Sequence, residues 1–292
     1  MPRKLALLIG VSDYGEGFDP LSAPVKDVAA LQRVLANPEM GHFDEVKTLT
    51  NPGLVEMRRE IGTLFSTSQK DDLVLLFFSG HGVTDDDYRL YLTTKASAKD
   101  TFKFDSLEAS YIQNFSDSAY AKRQVIILDC CYSGAFAGGW QPKGAEVKLE
   151  LERELGKEGR VVLTSSSSTQ VSFQQEDGEL SLYTQYLVEG METGAADKEN
   201  HGAIRVRELH EYAKRKVQAV KPKLKPDIIV ADDEGYDIVL SRVKVDAALR
   251  FRRVVEKYAD PQQGEIRSRR AKEILETRAR NWGLTTDAAA QI

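Results

Sequence analysis

Cysteine is nearly absent from this chain of 292 residues, and its two copies, Cys130 and Cys131, are adjacent. A disulfide framework is excluded, so a reducing, cytoplasmic setting is the expectation. Four histidines, His42, His81, His201 and His210, are too few for a multi-histidine metal cage. They leave room for one catalytic base. Long apolar runs are also missing. The longest strictly apolar stretch is Leu73 to Phe78, six residues, against the about 20 that a membrane helix needs. The opening Met-Pro-Arg-Lys and the short apolar run behind it are followed by no small-residue cleavage site, so no signal peptide is expected. Basic excess is lacking too: a net charge of −5 argues against nucleic acid as the partner of the whole chain.

What is present suits an ordinary globular protein. With 41% hydrophobic and 29% charged residues, the chain can bury a core without disulfide or metal support. Apolar, β-rich runs at residues 4–11, 45–49, 73–78, 124–128, 160–164 and 227–230 alternate with helical spacing at 24–36, 54–65, 180–194 and 205–220. The apolar strands are continuous rather than alternating, which predicts a mostly parallel sheet covered by helices on both faces, an α/β/α three-layer sandwich. Residues 88–93 read as a small hairpin strand beside that sheet, and 236–243 as a last strand. Residues 138–158 read as a long polar loop, in part helical. Beyond Val243 the chain turns basic: 244–292 carries a net +4 against −9 for the rest. The expected organisation is one α/β domain over 1–243 and a helical extension over 244–292, split near Asp260-Pro261.

Active residues of open α/β sheets sit just past the carboxyl ends of strands. Two apolar strands end in unusual sequences here, one in Ser79-Gly80-His81-Gly82 and the other in Asp129-Cys130-Cys131-Tyr132-Ser133-Gly134. If the strands are parallel neighbours, His81 and a cysteine arrive at the same edge. A thiol beside an imidazole suits nucleophilic catalysis, because the ring takes the thiol proton and later supplies one to a leaving amine. Amide N–H groups of Gly82 and Cys131 are the candidates for an oxyanion hole.

These two motifs resemble those of the caspase-like clan of cysteine peptidases (peptidase C14-like), and most of all its metacaspase and prokaryotic caspase-like, or orthocaspase, branch. The resemblance runs over roughly residues 1–243 and includes Leu7-Leu8-Ile9-Gly10-Val11-Ser12-Asp13-Tyr14, Leu163-Thr164-Ser165-Ser166 and the 183–194 stretch. It implies that Cys131 is the nucleophile and His81 its partner. Adjacent residues of an extended segment face opposite ways, so Cys130 becomes a packing residue. The resemblance also implies cleavage after Arg or Lys, with Asp27 and Asp129 at the floor of the pocket for the residue before the cut bond (P1). Charge agrees: paired carboxylates attract a guanidinium, and no arginine stands beside either motif.

Enzymes of this clan often mature by cleavage in the loop after the cysteine. Lys143, Lys148, Arg153, Lys157 and Arg160 are the candidate processing positions, in a zymogen that cuts itself or a sister molecule. The basic helices of the tail could dock a regulatory partner. No organic cofactor and no metal centre are expected. Residues 197–208 have EF-hand spacing, with Gly202 sixth and Glu208 twelfth, but Glu199 and His201 at the third and fifth positions are poor calcium ligands. The expected function is a cytoplasmic cysteine endopeptidase acting on proteins or peptides with a basic P1. By analogy it serves regulated proteolysis in stress, cell death or antiviral defence. Two alternatives stand beside it: a clan relative with another P1 preference, and a catalytically silent scaffold.

Overall fold

The computed structural model describes residues 2–130, 132–134, 144–156, 159–165, 179–198, 201–230, 235, 237–243, 247–258, 266 and 268–291. The chain divides into two compact units, Met1–Lys198 with Ala203–Val243, and Glu199–Gly202 with Lys244–Ile292.

The first unit is built on a six-stranded sheet. Its strands are β1 (Lys4–Gly10), β2 (Glu45–Thr50), β3 (Leu73–Ser79), β7 (Arg123–Asp129), β9 (Arg160–Thr164) and β11 (Asp227–Val230), in the order β11-β9-β7-β3-β1-β2. All neighbours run parallel except β11, which pairs antiparallel with β9. Side chains alternate between two cores, as the pleat requires. Ala6, Leu8, Leu75, Phe77, Val125 and Ile127 face one core. That core is completed by α1 (Pro24–Ala36), α6 (Leu182–Glu192) and α7 (Val206–Val220). Leu5, Leu7, Ile9, Leu76, Phe78 and Ile126 face the other. There the cover is α2 (Leu54–Ser66), α4 (Ala109–Ser118) and α5 (Gly144–Leu155). Burial on both faces explains the continuous apolar strands.

Strand order reverses between β1 and β3, and the crevice at the carboxyl ends of such strands is the binding place of open α/β sheets. Gly10, at the end of β1, brings α1 close to this crevice: a Cβ there would lie 2.6 Å from the Pro24 carbonyl oxygen. Above the same edge stands a second, four-stranded sheet. It contains β4 (Gly82–Thr84), β5 (Leu90–Leu92), β6 (Leu107–Glu108) and β8 (Tyr132–Gly134), in the order β6-β5-β4-β8. A four-residue helix, α3 (Phe102–Asp105), lies between β5 and β6 in the chain. The expected last strand is β12 (Val239–Arg242), which pairs antiparallel with β10 (Ala203–Arg205) rather than joining the main sheet.

The expected loop at 138–158 contains α5. Leu151 and Leu155 of α5 are buried against the sheet, which fixes a segment whose charge suggested solvent. Arg160 also departs from its expected role. Only 1% exposed, it donates to the Leu155 carbonyl oxygen (3.1 Å), Gln124 Oε1 (3.3 Å) and Asp117 Oδ1 (2.6 Å). A guanidinium so enclosed, on a central strand, offers no cleavable bond to a peptidase while the sheet is intact.

The second unit holds α8 (Ala247–Tyr258), α9 (Arg269–Asn281) and α10 (Thr286–Ala290). Phe251, Leu275 and Ala279 form its small core. Ser268 and Thr285 cap α9 and α10 by accepting from Ala271 N and Ala288 N. No helix among the described residues is long and apolar enough to cross a membrane.

Candidate active site

Three strand ends meet at the crevice. Ser79, the last residue of β3, lies opposite Asp129, the last residue of β7. The two chains then leave the large sheet and pair again in the small one, where Gly82 lies opposite Tyr132 in parallel β4 and β8. His81 immediately precedes the first of these partners, and position 131 immediately precedes the second. Cys131 itself, its amide and the expected processing positions Lys143 and Lys157 lie outside the described residues. Cys130 is buried in the second core, in line with a packing role.

His81 is fixed from four sides. Its ring Nε2 lies 2.9 Å from the backbone oxygen of Asp19. A carbonyl oxygen only accepts, so this ring nitrogen carries the proton and Nδ1 keeps the lone pair of the neutral ring. The ring stacks on Phe18, with centroids 5.4 Å apart, and leans on Tyr14 at 4.7 Å. The His81 amide donates to the Tyr14 hydroxyl (3.1 Å), and that hydroxyl donates to the Val11 carbonyl oxygen. The His81 carbonyl oxygen accepts from Thr93 Oγ1 at 2.8 Å and Thr93 N at 3.2 Å. Gly80 permits this crowding, because a Cβ there would sit 2.9 Å from the Phe78 ring and 3.1 Å from the Tyr14 hydroxyl. Burial lowers the His81 pKa below the usual histidine value, while the carbonyl oxygen and charge of Asp19 oppose the shift. The ring is therefore a neutral base at neutral pH.

Tyr14→Phe deletes one bridge and leaves the Val11 carbonyl oxygen and the His81 amide without it. The expected result is a fall in kcat of roughly tenfold with little change in KM, equivalent to about 1–2 kcal/mol. Steady-state kinetics on the class of substrate proposed below checks this. A change confined to KM would contradict a role in holding His81.

The carboxylates form the second cluster. Asp27, in the first turn of α1, is 0% exposed. Its Oδ2 accepts from Ser79 Oγ at 2.8 Å and its Oδ1 from Ser181 N at 2.9 Å. Asp129 is 9% exposed. Its Oδ2 accepts from Ser181 Oγ, from Thr184 Oγ1 at 2.6 Å and from Thr184 N at 3.3 Å. Ser181, the residue before α6, thus ties the two acids together: its amide serves one and its hydroxyl the other. Burial, and then the charge of Asp129, push the Asp27 pKa up to about 7, although Ser79 and Ser181 oppose the shift. Both expected acids do lie together. Ser79, Ser181 and Thr184, which hold them, and Tyr14, Phe18 and Asp19, which hold His81, were not singled out from the sequence.

Other candidates take structural roles. Asp85, of the Asp85-Asp86-Asp87 turn, accepts from the amides of Asp87 and Arg89, both at 3.0 Å, and closes the β4–β5 turn. Glu208 Oε2 accepts from Arg205 N at 2.9 Å and caps α7.

The fold and site define a class: an α/β/α sandwich with a histidine and a carboxylate pair at the carboxyl edge of its sheet. A profile of the caspase domain, peptidase C14, matches residues 3–232. The chain belongs to the caspase-domain family. No curated protein matches it. Among solved structures it is similar to a protein of Geobacter sulfurreducens, at 16% identity and a TM-score of 0.58, over 83% of this chain and 98% of the other. At that identity the likeness bears on the fold alone.

Proposed function

We propose that this protein is a cysteine endopeptidase that cuts after Arg, with Lys second. The observation that carries the reading is His81, held with Nε2–H on a backbone oxygen and placed immediately before β4, which pairs with β8, the strand that follows Cys131. Chain continuity keeps Cys131 within one Cα–Cα step, about 3.8 Å, of Tyr132. In this mechanism the lone pair of His81 Nδ1 takes the Sγ proton of Cys131. The thiolate attacks the scissile carbonyl carbon, and amides of Gly82 and Cys131 stabilise the oxyanion. The protonated ring gives its proton to the leaving amine, and water then releases the acyl group with His81 as base. A buried carboxylate pair suits a P1 cation, and a guanidinium can bond both acids where an ammonium presents a single point of charge.

Activation by processing fits the flanks of α5 better than α5 itself. Lys148 is bound to Asp227 at 2.6 Å, Arg153 is helical though 80% exposed at its side chain, and Arg160 is buried. The expected cuts follow Lys143 or Lys157. N-terminal sequencing of fragments from wild type and Cys131→Ala tests this, and equal fragmentation of the two would exclude self-processing. A fluorogenic panel varied only at P1 tests the specificity. Arg above Lys, with Asp and Asn inert, is expected. The reverse order would assign another preference, and no turnover even after limited proteolysis would favour the scaffold.

A further inference from the structure

The two pocket acids pose an electrostatic problem that the described residues leave open. On α6, Ser181 and Thr184 give them neutral donors; on β3, Ser79 does the same. On α6 the buried Tyr183 hydroxyl, which feels the charge of Asp129, is joined to His210 Nδ1 of α7 at 2.9 Å. Burial holds His210 uncharged, its pKa lowered to about 4. On α1 the neighbouring Lys26 is exposed, and among the described residues the largest influences on Asp27 are its burial, the charge of Asp129 and the donors Ser79 and Ser181. Two ionised carboxylates sharing one serine in a buried site repel each other, and their hydration is lost as well. Such a pair is satisfied by a cation or, without one, by a proton.

We propose that Asp27, fastened to Asp129 through Ser181, holds one proton while no cation is bound, and that a cationic P1 side chain displaces it. The inference rests on the basic-pocket reading above and adds a linkage to it: binding of the cation releases a proton to solvent. The sign follows from the raised acid. Below pH 7 the empty pocket keeps its proton, and a cation must expel it. Above pH 7 Asp27 is already ionised, and binding releases nothing. Cation affinity therefore rises with pH and then levels off. Neutral P1 groups lack this dependence, so the pocket discriminates most strongly on the alkaline side.

Benzamidine, an amidinium that mimics the P1 guanidinium, is a suitable probe for the full chain. Titration calorimetry in buffers of different ionisation enthalpy counts the protons released. About 0.9 proton per benzamidine is expected at pH 6 and under about 0.1 at pH 8.5, with roughly tenfold weaker binding at the lower pH. Asp27→Asn keeps the shape of the side chain, weakens benzamidine binding, and abolishes the proton release in the binding that Asp129 still supports. Where that variant fails to fold, infrared difference spectra of the wild type give the second readout: the carbonyl band of a protonated carboxylic acid disappears on addition of benzamidine. Binding with no net proton release at any pH, or with no loss of that band, overturns the proton on Asp27 but leaves the basic pocket standing. Absence of benzamidine binding from pH 6 to 8.5 removes the basic pocket itself, and this inference with it.

Discussion

Under the proposed mechanism, replacing Cys131 with Ala is expected to lower kcat/KM on an arginyl peptide by at least about 10⁴-fold, the loss typical when one member of a nucleophile–base pair is removed. The argument is chemical. In the proposed mechanism His81 then has no nucleophile to activate, and the proposed oxyanion donors and substrate binding leave only a residual rate. His81→Ala should match this loss, and the double variant should be no worse than either single one, because the pair acts as a unit. Cys130→Ala separates the neighbouring thiols. That side chain is buried in the core, so its truncation costs about 1 kcal/mol of stability and leaves turnover within a few-fold. Equal damage by both cysteine variants would contradict the assignment.

The second large effect belongs to Asp129→Asn. The substitution preserves shape and an acceptor for Ser181 and Thr184, which now hold Oδ2, but removes the charge proposed to meet the P1 cation. Losing one partner of a buried charge pair costs about 2–5 kcal/mol, or roughly 30-fold to several thousand-fold in kcat/KM for arginyl substrates. Substrates with a small neutral P1 serve as the internal control: their turnover, already low, should change little. A uniform loss across both classes would point to a general defect, and circular dichroism with thermal melting would show it.

Much of this arrangement was legible in the sequence because it rests on long-period signals. Apolar runs of six and four residues announced β3 and β7, and a histidine between two glycines and a cysteine three residues before one, at their ends, marked the edge where chemistry was expected. Asp27 and Asp129 were legible from charge and family resemblance. The pieces that stayed hidden are short or carry no side-chain signature. The strands β4 and β8 are three residues each, below the length at which periodicity is readable. Asp19 orients His81 through its backbone oxygen, which any residue could supply. Ser181 and Thr184 stand 52 and 55 positions from Asp129, and serine and threonine are too common for that pairing to be noticed. Arg160 misled for the opposite reason: charge suggested exposure, whereas Asp117, Gln124 and the end of α5 enclose it.

A pinned histidine and a buried carboxylate pair make a peptidase only with the nucleophile beside them. Labelling tests that directly. The full-length protein is treated with an arginyl peptide ketone bearing a leaving group, and the adduct is located by mass spectrometry. The account predicts one adduct per chain, on Cys131, lost in His81→Ala and slowed by benzamidine. Modification of Cys130 instead, or an unlabelled chain under conditions where benzamidine binds, would contradict it.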